Sequence, residues 1–294
     1  MKISYFPGCT LKTQAKNFEI SALSSLSCLG VEMVELSRWN CCGTVYSLSS
    51  DDLIHQIASV RNLIRVKERG ENEVVTLCSM CYHTLKRANK LVREDEEKLK
   101  KINDFMYLES VKYDGSVKVY HLLEFLRDKI GFFKISKEIK KPLQGLKLAP
   151  YYGCLLLRPD EVAIDDPEMP TILGDFLISL GAEVINYPYA TECCGAYHTA
   201  FNAEIVVERA YRILTSAVEE KAEAIVLTCP LCSFNLDERQ KDVKEKFPEF
   251  KHIPVFYFTQ LLSLSLGLGV KECGFEFNFI SPYSLLKQKG LINE

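Results

Sequence analysis

Short apolar runs alternate with helical patterns along this chain, and the alternation occurs twice. Lys2 to Phe6 reads as a strand that ends at Pro7-Gly8. Phe18 to Leu29 has helical periodicity and stops at Gly30, a good helix terminator. Val31 to Leu36 reads as a second strand and Glu73 to Leu77 as a third. Between them, Asp51 and Asp52 are placed to cap a helix running to Arg69, with Gly70 behind it. The series then repeats: a strand at Lys147 to Tyr152, a helix from Pro170 to Leu180 before Gly181, a strand at Glu183 to Tyr187, a helix from Asn202 to Glu219, and a strand at Ala224 to Thr228. Strands alternating with helices predict an α/β protein with a small parallel sheet in each half. The charged, Pro- and Gly-bearing stretch Lys140 to Gly145 predicts the connection, giving domains 1–142 and 143–294.

Two stretches stand apart from this repeat. Ala88 to Ser116 has no counterpart in the second half, and its charged run Val92 to Lys101 reads as a solvated helical face. Phe256 to Val270 is the greasiest segment. It contains Gln260, three serines or threonines and two glycines, and it falls short of the roughly 20 apolar residues a membrane span needs. An amphipathic or buried helix is predicted there.

Composition narrows the picture. The 294 residues suffice for two domains, each near the roughly 150 residues of a usual single core. Hydrophobic residues make up 47% and charged residues 26%, as in soluble globular proteins. A formal charge of -3 gives no global basic signal for nucleic acid. The N-terminal MKISYFPGCT lacks an apolar run of signal-peptide length, so a cytoplasmic protein is expected. Thiols stay reduced in that compartment, which favours metal binding over a disulfide scaffold for the 12 cysteines.

Ten of those 12 cysteines form two copies of one pattern. The first copy is Cys9, then Cys41-Cys42-Gly43, then Cys78-x-x-Cys81; the second is Cys154, then Cys193-Cys194-Gly195, then Cys229-x-x-Cys232. The surrounding residues match as well: Tyr5-Phe-Pro-Gly-Cys9 faces Tyr151-Tyr-Gly-Cys154, and Val119-Tyr-His-Leu-Leu-Glu-Phe-Leu126 faces Val255-Phe-Tyr-Phe-Thr-Gln-Leu-Leu262. Each group follows a predicted strand. In open α/β sheets ligands collect at the carboxyl ends of the strands, so the thiols of a half should converge on one edge. Five thiols per half is one more than a structural zinc or an ordinary cubane takes. Adjacent cysteines diverge and suit different irons of one cluster. A redox dithiol would explain C-x-x-C but not the distant Cys-Cys pair, and zinc would leave one thiol over. Iron–sulfur is the leading reading. The glycines after each pair, Gly43 and Gly195, let the backbone pass close to inorganic sulfur. Cys28, on an apolar helical face, reads as a buried small hydrophobe, and Cys273 carries no assigned role.

These phrases, with Phe6-Pro-Gly-Cys-Thr-Leu-Lys12, Trp39-Asn-Cys-Cys-Gly43 and Cys229-Pro-Leu-Cys232, resemble the double CCG-domain family, as in the B subunit of heterodisulfide reductase from methanogenic archaea. The resemblance covers nearly the whole chain. One gap departs from it: the 34 residues between Cys194 and Cys229 are one fewer than the family's usual minimum. It implies two pseudo-symmetric, Rossmann-like domains with clusters at the strand ends. It also implies two non-cubane [4Fe-4S] clusters: one held by Cys9, Cys41, Cys42, Cys78 and Cys81, the other by Cys154, Cys193, Cys194, Cys229 and Cys232. The implied substrate is the mixed disulfide of coenzyme M and coenzyme B, held between the clusters and reduced to two thiols with one electron from each. That substrate is anionic, so cations near the motifs become candidates for binding it: Lys12, Lys86 and Arg158. His83 and His198 are candidate proton donors. The implied partners are an iron–sulfur subunit, a flavin-containing subunit that bifurcates electrons, and a hydrogenase or formate dehydrogenase. The alternatives are an electron-transfer component of another oxidoreductase (of the thiol-dependent fumarate reductase, succinate dehydrogenase or hydroxy-acid oxidase type) and a non-catalytic protein with structural zinc.

Overall fold

The computed structural model describes residues 1–44 and 53–293. Among them are two four-stranded sheets, both wholly parallel and of identical order. The first comprises β1 (Lys2–Tyr5), β2 (Glu32–Glu35), β3 (Glu73–Thr76) and β4 (Lys118–His121), arranged β2-β1-β3-β4. The second comprises β5 (Lys147–Pro150), β6 (Glu183–Val184), β7 (Ala224–Leu227) and β8 (Val255–Tyr257), arranged β6-β5-β7-β8. Register is equivalent in the two: Ser4 pairs Val74 across β1 and β3, and Leu148 pairs Ala224 across β5 and β7. The central β7 is buried at every position, as the continuous apolar run Ala-Ile-Val-Leu requires of a parallel strand covered on both faces.

The helices come where the periodicity placed them: Lys16–Cys28, Leu53–Glu68, Ile172–Ser179 and Ala203–Glu219. Asn202 caps the last, its side chain accepting from the Ile205 amide at 3.3 Å. The predicted caps Asp51 and Asp52 lie outside the described residues. The run from Val92 to Lys101 is not one helix. The helix Ser79–Arg93 stops there and Asp95 caps a new one, Glu96–Phe105, by accepting from the Lys98 amide at 3.0 Å. The fourth strands, seen in the sequence only as an echo, are short and run straight into helices. Each junction has a capping box: His121 with Glu124 before Leu122–Phe125, and Tyr257 with Gln260 before Phe258–Ser265. Cys28 is a correction: it is exposed, because it lies in the last turn of its helix, beyond the buried stripe that ends at Ser25 and Leu26. Phe258–Ser265 is buried throughout, and among the described residues no helix is long and apolar enough to cross a membrane.

The halves exchange helices across their interface. Lys16–Cys28 of the first packs on Phe258–Ser265 of the second, while Ile172–Ser179 of the second packs on Leu122–Phe125 and Phe132–Glu138 of the first. A row of rings crosses the seam. Phe18 stacks on Tyr257 at 4.2 Å and meets Phe258 edge-on at 5.6 Å; Phe176 meets Phe258 at 5.6 Å and Phe132 at 5.5 Å. Each buried ring contributes about 1.5–3 kcal/mol, so apolar contact dominates this seam and one core runs through both halves. Polar links are embedded in it, among them Ser21 Oγ to Thr259 Oγ1 at 2.7 Å.

The C-terminal segment is held by Asp237, whose buried carboxylate accepts from the Phe279 and Ile280 amides, both at 2.9 Å. Burial outweighs those bonds and pushes its carboxyl up to about 7. A raised carboxyl stays protonated in the folded chain where the unfolded chain has already ionised. The stability it contributes is therefore complete below the ordinary carboxylate range and lost as pH rises toward 7. Melting temperatures should thus fall more steeply between pH 5 and pH 8 in the native chain than in Asp237→Asn. Parallel curves would count against the assignment.

Candidate functional site

Both sheets deliver their cysteines from the same edge. Cys78 follows the end of β3 at Thr76 with only Leu77 between, and it is the N-cap of Ser79–Arg93; Cys229 holds the same place before the short helix Pro230–Ser233. The glycine before each lone cysteine faces a thiol of its own set. Gly8 has φ +71°, and a Cβ there would lie 2.7 Å from Cys81 Sγ. At the equivalent Gly153, φ is +63° and the distance to Cys232 Sγ is 3.5 Å. Gly43 and Gly195 play a different part. A Cβ on them would meet Ala58 or Arg209 on the helices behind, but their amides act on sulfur: Gly195 N–H donates to Cys193 Sγ at 3.3 Å, and the Gly43 amide favours the Cys41 thiolate.

The two sets do not stand apart. Neighbouring thiols lie close enough to shift one another's protonation: Cys41 and Cys42, Cys42 and Cys81, Cys81 and Cys78, Cys78 and Cys229, Cys229 and Cys232, and Cys232 and Cys194. Cys154 acts on Cys193 in the same way, and Cys9 is exposed beside Cys41. The pair Cys78 and Cys229 crosses between the halves. Beside it Ser79 Oγ reaches the Thr228 carbonyl at 3.2 Å and its hydroxyl at 3.1 Å. Three thiols are held toward thiolate by their neighbours: Cys42 by Cys41 and Cys81, Cys229 by Cys232 and Cys78, and Cys193, lowered to about 6, by Cys154, the Gly195 amide and Arg209. Those neighbours, Cys41, Cys78, Cys81, Cys154 and Cys232, are pushed the other way.

The other expected site residues divide. His83 is buried close to the thiols, with both ring nitrogens unpartnered, and burial together with Arg87 lowers it to about 4, so it is neutral. His198 is exposed in the turn Ala196–His198 behind Cys193-Cys194-Gly195. Lys12 is tied to Glu19 at 2.7 Å and Glu35 at 2.6 Å. Arg158 donates to the Thr191 and Pro167 carbonyls and to Glu168. Lys86 is half-buried, bonded to the Tyr82 hydroxyl, with Glu124 at 3.7 Å.

Several residues around the thiols carried no sequence signal. Arg209 Nε donates to the Cys193 carbonyl at 2.7 Å, and Asn235 Nδ2 reaches the Cys194 carbonyl at 3.2 Å and its sulfur at 3.5 Å. Fully buried His121 accepts from the Leu123 amide on Nδ1 at 3.2 Å, so Nε2 carries the proton and donates to the Leu77 carbonyl at 2.7 Å. It fixes the residue that precedes Cys78.

The donor set fits iron–sulfur binding. All 12 cysteines are unbridged, and amides and Asn235 already point at sulfur. All five thiols of the second set, Cys154, Cys193, Cys194, Cys229 and Cys232, line one narrow cleft, and five ligands suit several irons better than a single ion. Comparison with known proteins agrees. The CCG profile, described as a cysteine-rich domain, matches residues 3–86 and again 148–237. The chain belongs to the CCG cysteine-rich domain family. The chain is similar to the "8-methylmenaquinol:fumarate reductase membrane anchor subunit" of Wolinella succinogenes, 31% identical over 97% of this chain and 99% of that one. It is equally similar to the B subunit of the "Ferredoxin/F(420)H(2)-dependent CoB-CoM heterodisulfide reductase" of Methanosarcina acetivorans, 31% identical over 97% of this chain and 96% of that one. A hypothetical protein from Helicobacter pylori has the same fold, with TM-score 0.78 at 12% identity over 95% of this chain and 51% of its own. The resemblance to the heterodisulfide reductase B subunit is therefore upheld, as is the double α/β architecture.

Proposed function

We propose that this chain is the catalytic subunit of a disulfide reductase that splits the coenzyme M–coenzyme B heterodisulfide into two thiols. One non-cubane [4Fe-4S] cluster would be held by Cys9, Cys41, Cys42, Cys78 and Cys81, the other by Cys154, Cys193, Cys194, Cys229 and Cys232. The contact between Cys78 and Cys229 carries the reading, since it brings both sets to one boundary where a single bond can face both. When bound, the clusters would supply the two electrons that disulfide cleavage consumes. The chain supplies the rest. The amides of Gly43 and Gly195 and the side chains of Arg209 and Asn235 balance thiolate charge, and the buried rings of Tyr82, His121 and Tyr257 wall the boundary from water. Proton delivery is assigned to the exposed His198, because the neutral imidazole of His83 holds no acidic proton at neutral pH. Electrons would arrive through an iron–sulfur subunit and a flavin-containing one, with a hydrogenase or formate dehydrogenase behind them.

The equal similarity to a fumarate reductase component favours one second reading, in which the same paired sets relay electrons from a quinol. Anaerobic assay with reduced viologen decides between them. Heterodisulfide-dependent viologen oxidation is expected; its absence, with quinol-dependent fumarate reduction in the assembled complex, would replace the first reading with the second.

A further inference from the structure

The two halves hold the same Cys-Cys turn by different means. In the first, Asn62 clamps the backbone of Asn40: its Oδ1 accepts from the Asn40 amide at 3.0 Å and its Nδ2 donates to the Asn40 carbonyl at 2.9 Å. Ser59 Oγ donates to the Cys42 carbonyl at 2.6 Å. Both side chains are buried and neutral, and these bonds go to backbone. A Cβ on Gly43 would meet Ala58 and one on Gly195 would meet Arg209, so Ala58 and Arg209 hold equivalent places. One and four residues further on, Ser59 and Asn62 correspond to the buried Ala210 and Ile213, whose side chains can form no such bonds. Arg209 and Asn235 do the holding there. Arg209 Nε donates to the Cys193 carbonyl at 2.7 Å. Asn235 Nδ2 donates to the Cys194 carbonyl at 3.2 Å and to its sulfur at 3.5 Å. Asn235 is fully buried, and its orientation is fixed: Thr199 Oγ1 donates to its Oδ1 at 3.0 Å, which turns the amide nitrogen toward Cys194. Thr84 has the equivalent place, three residues past Cys81. It has one hydroxyl proton, for which Cys42 competes with the Met80 carbonyl at 2.8 Å.

The exchange also brings charge. Arg209 and Arg212 line a small cavity beside Cys193 with one carboxylate, Glu192, which Arg209 meets at 3.2 Å. Glu208, on which Arg212 acts, is paired with Lys246 at 2.9 Å. In the first half Arg61 stands where Arg212 does, and it is bound to Glu109 at 2.9 Å. Water runs the opposite way. Cys9 and Cys41 of the first set are exposed, and no cysteine of the second set is. One-electron reduction of a metal–sulfur centre adds one negative charge, which its sulfurs share. Water, N–H donors to sulfur and nearby cations each stabilise that charge and so raise the reduction potential. Donors and cations act most strongly where water is excluded.

We infer that Arg209 and Asn235 set the reduction potential of the second centre, raising it in place of the water that reaches the first. The inference rests on the reading that the second set holds an iron–sulfur centre, and not on the substrate. It is tested by anaerobic redox titration of the iron-loaded full chain with dithionite, followed by EPR. The second centre's signal is the one lost in Cys154→Ser. Asn235→Leu should make that centre about tenfold harder to reduce, a fall of about 59 mV for one electron, with the first centre's midpoint unmoved. Arg209→Gln should shift it the same way by a smaller factor, because that side chain is 40% exposed and shared with Glu192. Arg209→Lys, which keeps the charge, should return the midpoint toward the native one. Native midpoints in loaded Asn235→Leu and Arg209→Gln overturn the inference. So does loss of iron from the second set in all three variants, which would make the two residues holders of the turn alone. Every arm is read without substrate, so failure to reduce a heterodisulfide leaves the result standing. A native chain without iron in its second set would overturn the underlying reading and the inference together.

Discussion

Gly8→Ala will strip iron from the first cysteine set and leave the second loaded. The new methyl would sit 2.7 Å from Cys81 Sγ, closer than real carbon–sulfur contacts come, so the buried thiol must move. The backbone adds its own cost. At φ +71° a side chain lies in the left-handed region, worth about 1–2 kcal/mol against any L-residue but glycine. Gly153→Ala is the built-in comparison. It has the same backbone demand at φ +63° but an ordinary 3.5 Å contact to Cys232 Sγ, so only the backbone cost remains. Iron and acid-labile sulfide per chain should drop by roughly half in the first variant and hold near full in the second, with melting temperature lowered in both. Full loading of Gly8→Ala would show that Cys81 is not a ligand in this position.

Cys229→Ser will cost more. Cys229 stands where the two sets meet: Cys232 of its own set and Cys78 of the other hold it toward thiolate. A serine hydroxyl keeps the shape but stays protonated near neutral pH, and as a neutral hydroxyl it is a poor iron ligand. Electron transfer through the chain should fall by ~100-fold or more, beyond what loss of an outer-shell partner costs, together with the iron of the second set. Cys28→Ser is the control, since that thiol is exposed and outside both sets. Retention of activity in Cys229→Ser would sink the two-set reading.

The ten thiols were legible because chemistry ties them to residue type and spacing, and parallel strand ends explain how distant positions meet. The Gly8 and Gly153 constraint is also written in the sequence, as a glycine before each lone cysteine. Lys12 and Arg158 lie near motifs along the chain; in the fold Lys12 pairs with Glu19 and Glu35, and Arg158 with Glu168 and the Thr191 and Pro167 carbonyls, partners that no local spacing announces. Arg209 and Asn235 bond the Cys-Cys pair from helical positions whose spacing follows no rule. His121 looks like any core residue until its two bonds show it bracing Leu77. β4 and β8 are no shorter than β2 and β6, but each runs straight into a helix, so its apolar residues merge with the run that follows.

The reciprocal packing of helices across the seam has an ancestral consequence. Each half contributes the helix after its first strand and receives the helix after its partner's last strand. Such a swap is self-complementary, the arrangement two identical subunits adopt about a twofold axis. A single-domain forebear could therefore have built the whole sulfur boundary by pairing with itself. Joining two copies in one chain then freed each to diverge, which is how one half could hold the stretch 88–116 that the other lacks.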